Sequence, residues 1–61
     1  MKAKIKWFNG ELPECITQGK EYDVITFDDQ GFDFLDDVGE WNYTNVKKSW
    51  ILNGGDWELK E

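Results

Sequence analysis

Two similar breaks, Asp28-Asp29-Gln30-Gly31 and Asp36-Asp37-Val38-Gly39, begin eight residues apart and leave room between them only for Phe32 to Leu35. In each break an Asp can accept hydrogen bonds from backbone N–H groups of the turn, and the Gly can take a positive φ. No helix of normal length passes through such punctuation, so the stretch between must be a short strand. Before it, Lys20 to Phe27 (KEYDVITF) is rich in residues that suit a pleated surface, and it follows the turn signal Gln18-Gly19. After it, Glu40-Trp41-Asn42-Tyr43 alternates again. Short strands at this regular spacing predict a meander.

The flanks agree with that pattern. Ala3, Ile5 and Trp7 alternate with Lys2, Lys4 and Lys6, which predicts a half-buried first strand with Trp7 facing inward and lysines outward. Gly10-Glu11-Leu12-Pro13 ends it, because Pro has no N–H for a ladder. Near the C-terminus, Asn53-Gly54 between Trp50-Ile51-Leu52 and Asp56-Trp57-Glu58-Leu59 is a hairpin signal. Val46 to Ser49 fits either a strand or a helical turn capped by Thr44 or Asn45. The expected class is all-β, with five or six short antiparallel strands in one domain over residues 1–61. Closure into a small barrel would protect the edges.

A chain of 61 residues is near the lower limit for folding alone and buries only roughly 60% of its unfolded surface. Four Trp, four Phe and two Tyr supply one dense core. They leave little shell for a substrate pocket, which needs about 300 Å³ or more. The single cysteine, Cys15, cannot form an internal disulfide, consistent with a reducing cytoplasm, and with no histidine the chain cannot assemble a structural zinc site. Cys15 reads as a small apolar residue, since no His can activate it as a nucleophile. No apolar run reaches the ~20 residues of a membrane span, and the N-terminus lacks the pattern of a signal peptide. No catalytic constellation and no cofactor are expected. Asp28-Asp29-Gln30-Gly31 lacks the alternating acids of a calcium loop, so at most weak cation binding follows.

Charge points elsewhere. The net charge is −6; residues 1–10 carry +3, so residues 11–61 carry −9. Residues 21–40 hold eight acids and no base, and there is no arginine in the chain. Uncompensated negatives repel one another, and a small protein that keeps them can match a basic partner surface. The candidate contact is Asp28, Asp29, Asp33, Asp36, Asp37 and Glu40, with Trp41 or Trp57 as an aromatic anchor. The competing reading of the same acids is an ordinary solvated surface.

Gly19-Lys20-Glu21-Tyr22-Asp23-Val24 followed by Asp36-Asp37-Val38-Gly39-Glu40-Trp41 resembles a group of short SH3-like proteins of phages and prophages. Leu12 to Val24 is also similar to the start of SH3 domains, where a diverging turn precedes a strand. The resemblance covers residues 12–43 and implies a small SH3-like barrel. It also implies a phage-encoded protein that docks on a basic host or phage protein, in its strongest form inhibiting a nucleic-acid-binding host enzyme. The paired aromatics of the SH3 proline-peptide groove have no clear match. A virion or assembly accessory is an alternative. Lys6-Trp7-Phe8-Asn9 is similar to the first strand of cold-shock domains, which implies single-stranded nucleic-acid binding through Trp7 and Phe8. That family's later aromatic strands do not follow, and Asp33 between Phe32 and Phe34 would repel phosphate, so direct nucleic-acid binding is not expected.

Overall fold

The computed structural model describes residues 1–61. Five strands form, β1 (Lys2–Trp7), β2 (Glu21–Phe27), β3 (Gly31–Leu35), β4 (Trp41–Asn45) and β5 (Asp56–Lys60), with one 3-10 turn at Trp50–Leu52. All neighbours are antiparallel, in the spatial order β4-β3-β2-β1-β5. The protein is therefore all-β, with five strands where five or six were expected. Strand β2 is shared: Glu21 to Asp23 pair with β1, while Val24 to Phe27 pair with β3. Ile25 is an extra residue between the pairs Val24↔Phe34 and Thr26↔Asp33. Such a bulge bends a strand and lets one sheet wrap a single core. An SH3-like barrel fits this order, although the sheet is not closed. A hydrogen bond from Trp57 N–H to Val46 O (2.8 Å) and the Ser49↔Gly55 bridge draw its two ends together.

The core is Ala3, Ile5, Ile16, Tyr22, Phe32, Phe34, Ile51, Leu52 and Trp57. Trp57 is its centre. Its ring meets Phe32 edge-on at 5.5 Å, Phe34 at 5.2 Å and Tyr22 at 6.2 Å, within the range of favourable aromatic pairs. Its indole N–H donates to the Ser49 hydroxyl (3.1 Å), which is bonded in turn to the hydroxyl of Thr44. No buried side-chain polar atom lacks a partner.

Two sequence expectations are corrected. Trp7 is 44% exposed rather than inward. Ile5 opposes Trp57 and Trp7 opposes Asp56, so Lys6 is an extra residue on β1 and the alternation breaks there. At the other end, Asn53 and Gly54 do take positive φ (56° and 97°), but they close the 3-10 turn instead of joining two strands. The reason is burial. Ile51 and Leu52 are adjacent and both in the core. A strand would have turned one of them outward, whereas a tight helical turn lets neighbours share a side. The helical turn thus starts at Trp50, just beyond Val46–Ser49.

Candidate docking face on the outer side of the sheet

Strand β4 has inverted polarity. Its alternation puts Thr44 fully in the core and Asn42 half-buried on the same side, while Trp41 and Tyr43 point outward at 56% and 43% exposure. Thr44 can face inward because its hydroxyl is hydrogen-bonded to that of Ser49 in the Trp57–Ser49–Thr44 chain. On the outer side, Trp41 stands opposite Leu35 and Tyr43 opposite Asp33, and directly opposed residues of an antiparallel pair share a face. Thr26, opposite Asp33 on the other side, donates its hydroxyl to the Asp33 carboxylate. The Trp50 indole N–H donates to the carbonyl of Tyr43 (3.0 Å), so this exposed ring covers part of the β4 edge.

Tyr43 is held in place. Its hydroxyl donates to Asp28 at 3.1 Å, reaching across Gly31. A Cβ at Gly31 would stand 2.9 Å from that hydroxyl and collide with the Thr44 carbonyl, so the close approach requires glycine. Asp28 also accepts from the N–H groups of Gln30 and Gly31 (both 2.8 Å), as the turn chemistry of the sequence anticipates.

The six acids read from the sequence separate into different roles. Asp36 is only 8% exposed and faces inward, accepting from Val38 N–H (3.1 Å), Glu40 N–H (2.9 Å) and the Asn42 amide (2.6 Å). It is a turn clamp rather than a contact residue. Asp37 receives the Lys20 ammonium (2.5 Å), the Thr17 hydroxyl (2.7 Å) and the Tyr22 hydroxyl (3.1 Å), pinning the segment before β2 to the β3–β4 turn. Asp28, Asp29, Asp33 and Glu40 have no cation within ion-pair distance, since the pairs formed are Lys2–Asp23, Lys20–Asp37 and Lys60–Glu21. Trp57, offered as an alternative anchor, is 3% exposed and belongs to the core. Trp41 is the exposed one.

The lysine strand, by contrast, is largely countered. Lys4 lies between Glu21 on β2 and Glu58 on β5, and Lys2 lies beside Asp23 on one side and Lys60 on the other. Most of the N-terminal positive charge that stands out in the sequence is thus opposed across the ladder, while Lys6, at the bulge, is not. The acids around β3 and its two turns face no such row of lysines. No three acids converge as a metal site would need, and no helix is long and apolar enough to cross a membrane.

One cleft is present where the sequence suggested none. It measures about 470 Å³, is open to solvent, and is lined by Asp29, Gln30, Asn45, Val46 and Lys47. It forms where the β2–β3 turn meets the end of β4, with only Val46 as an apolar wall.

The clamped acids set the pH response. Asp28 is held below the ordinary carboxylate range by the N–H groups of Gln30 and Gly31, and Asp37 by the Lys20 ammonium and then the Thr17 hydroxyl. Groups with depressed folded pKa values stabilise fully above their unfolded value, about 3.9, and lose that contribution as pH falls through the folded value. Self-repulsion relaxes as pH approaches the pI near 4.4. The urea midpoint is therefore expected to hold or rise from neutral pH to about the pI, then fall steeply on the acid side of about pH 4. A midpoint still rising below about pH 3 would show that these clamps contribute nothing.

No family model, curated protein or solved structure matches this chain.

Proposed function

We propose that this protein is a non-enzymatic, acidic binding module that docks through the outer β3–β4 face on a basic surface of another protein. One observation carries the reading: β4 turns Trp41 and Tyr43 to solvent and Thr44 to the core, at the cost of a buried hydroxyl pair. A lone strand needs no such inversion to be stable, whereas an aromatic patch rimmed by carboxylates suits an interface. Trp41, Tyr43 and Leu35 form the patch, and Asp29, Asp33 and Glu40 form the rim. Lysine or arginine side chains are the matching chemistry, pairing with the carboxylates and lying over the exposed rings. In its strongest form the partner is a nucleic-acid-binding enzyme whose phosphate-reading surface is occupied by these carboxylates. The resemblance to phage SH3-like proteins supports that form and a phage origin.

The test is affinity capture from a bacterial lysate at low and high salt, with Trp41→Ala and the triple variant Asp29→Asn/Asp33→Asn/Glu40→Gln as parallel baits. A basic protein is expected at low salt, weakened by both variants. Trp41→Ala is expected to cost about 2 kcal/mol of binding, or roughly 30-fold in Kd, with folding unchanged. A partner held equally at both salts and by all baits would sink the proposal.

A second reading, single-stranded nucleic-acid binding, draws on one observation, the exposed Trp7 beside Lys6. Asp56 opposite Trp7 and the acids flanking Lys2 and Lys4 weigh against it. Tryptophan fluorescence is expected to stay unquenched when a single-stranded oligonucleotide is titrated in.

A further inference from the structure

The chain contains the same dipeptide twice at one contact. Asn9-Gly10 follows β1 and Asn53-Gly54 ends the 3-10 turn, and the two face each other. The Asn9 amide donates to the Asn53 carbonyl (3.1 Å), and the Asn53 amide donates back to the carbonyls of Asn9 (2.7 Å) and Glu11 (3.1 Å). The Asn9 N–H also donates to the Leu52 carbonyl (3.1 Å). This clasp fastens the segment after β1 to the turn before β5.

We propose that Asn9 is a spontaneous deamidation site and that the fold protects Asn53 from the same reaction. In the reaction, the deprotonated backbone nitrogen of the following residue attacks the Asn side-chain carbonyl carbon. The C–N bond to the amide breaks and ammonia leaves, giving a five-membered succinimide. Water then opens the ring to aspartate or isoaspartate, with no redox change. Glycine in the next position leaves that nitrogen unobstructed, so both dipeptides are chemically competent. The structure separates them by nucleophile and by leaving group. Gly54 N–H is bonded to the Ser49 carbonyl (2.9 Å), and the Asn53 amide is held by two acceptors. Gly10 N–H makes no hydrogen bond, Gly10 is exposed where Gly54 is half-buried, and the Asn9 amide is held by one acceptor, although both asparagines are themselves exposed.

The consequence is local and directional. A carboxylate at residue 9 cannot donate to the Asn53 carbonyl and is repelled by it, so one strand of the clasp is lost. The net charge moves from −6 to −7. Isoaspartate adds a backbone methylene after Cα of residue 9 and turns the carbonyl that accepts the Asn53 amide into a free carboxylate, shifting Gly10 and the residues that follow. The segment from residue 9 to Pro13 is loosened by ageing while the sheet stays intact.

The experiment ages the purified protein at mildly alkaline pH in water enriched in heavy oxygen, folded in one arm and unfolded in urea in the other. Cleavage after lysine separates residues 7–20, which contain Asn9, from residues 49–60, which contain Asn53. In the folded arm the label is expected in 7–20 at least several-fold faster than in 49–60. In urea the two rates are expected to converge. Equal folded rates, faster labelling of 49–60, or no labelling of either peptide while folded would each overturn the proposal. As a further readout, Asn9→Asp is expected to lower the urea midpoint with an unchanged sheet signal in circular dichroism. A midpoint equal to the parent's would remove the claimed consequence.

Discussion

Trp57→Ala is expected to leave the chain unfolded in water at 25 °C. Large aromatic truncations in a core cost about 3–5 kcal/mol, because transfer energy is lost and a cavity remains. Here the cavity would open at the point where Phe32, Phe34 and Tyr22 all meet the Trp57 ring. The Ser49–Thr44 hydroxyl pair would also lose the indole N–H that completes it. A domain of this length holds roughly 3–9 kcal/mol in all, and its small core and lack of a disulfide put it toward the lower end. The loss is thus comparable with the whole. Dispersion of amide proton signals in an NMR spectrum checks it directly. Trp57→Phe keeps the stacking and loses the N–H, so it is expected to fold with a penalty of about 1–2 kcal/mol. If the alanine variant kept a cooperative transition near that of the parent, Trp57 would not be the centre of the core.

That centrality was only partly legible. Four tryptophans occur in the chain, and alternation tells which neighbours share a face, not which face is inside. In β4 the inner face is the polar one, because Ser49, close in sequence and brought back by the bend at residues 46–48, meets Thr44 there. Nothing in Glu40-Trp41-Asn42-Tyr43 reveals that partner. The strand positions themselves were readable from Asp-containing turns and β-branched runs, since those are local signals. The bulges at Lys6 and Ile25 were not, because each depends on the pairing register of another strand. Lys6 is what turns Trp7 outward, against the period-two alternation of the strand's sequence. The acidic character of the candidate face was plain from composition. Its division into clamps (Asp28, Asp36, Asp37) and carboxylates without a turn or cation partner (Asp29, Asp33, Glu40) was partly local, since the turn N–H groups on Asp28 and Asp36 follow from the turns, but the donors from Tyr43, Asn42 and Thr17 needed the fold.

Asp36 tests that division most sharply. Asp36→Ala is expected to destabilise the protein by about 3 kcal/mol, because two turn N–H groups and the half-buried Asn42 amide lose their acceptor together. Asp36→Asn keeps an acceptor oxygen for the N–H groups of Val38 and Glu40. Asn42 can turn its amide over and accept from the new one, so the asparagine variant is expected within about 1 kcal/mol of the parent. If Asp36 were instead part of the charged rim, the order would reverse in a binding assay. Removing the charge with Asn would weaken capture as much as Glu40→Gln does, while stability stayed level. The two measurements separate the roles because geometry and charge are changed independently at one atom. Denaturation by urea gives the first and salt-dependent capture the second. The expected pattern is a large loss of stability for Ala, little for Asn, and undiminished capture by the Asn variant. That outcome would place Asp36 inside the scaffold that presents Trp41 and Tyr43, leaving the exposed carboxylates of Asp29 and Glu40 and the half-buried one of Asp33 to meet the partner.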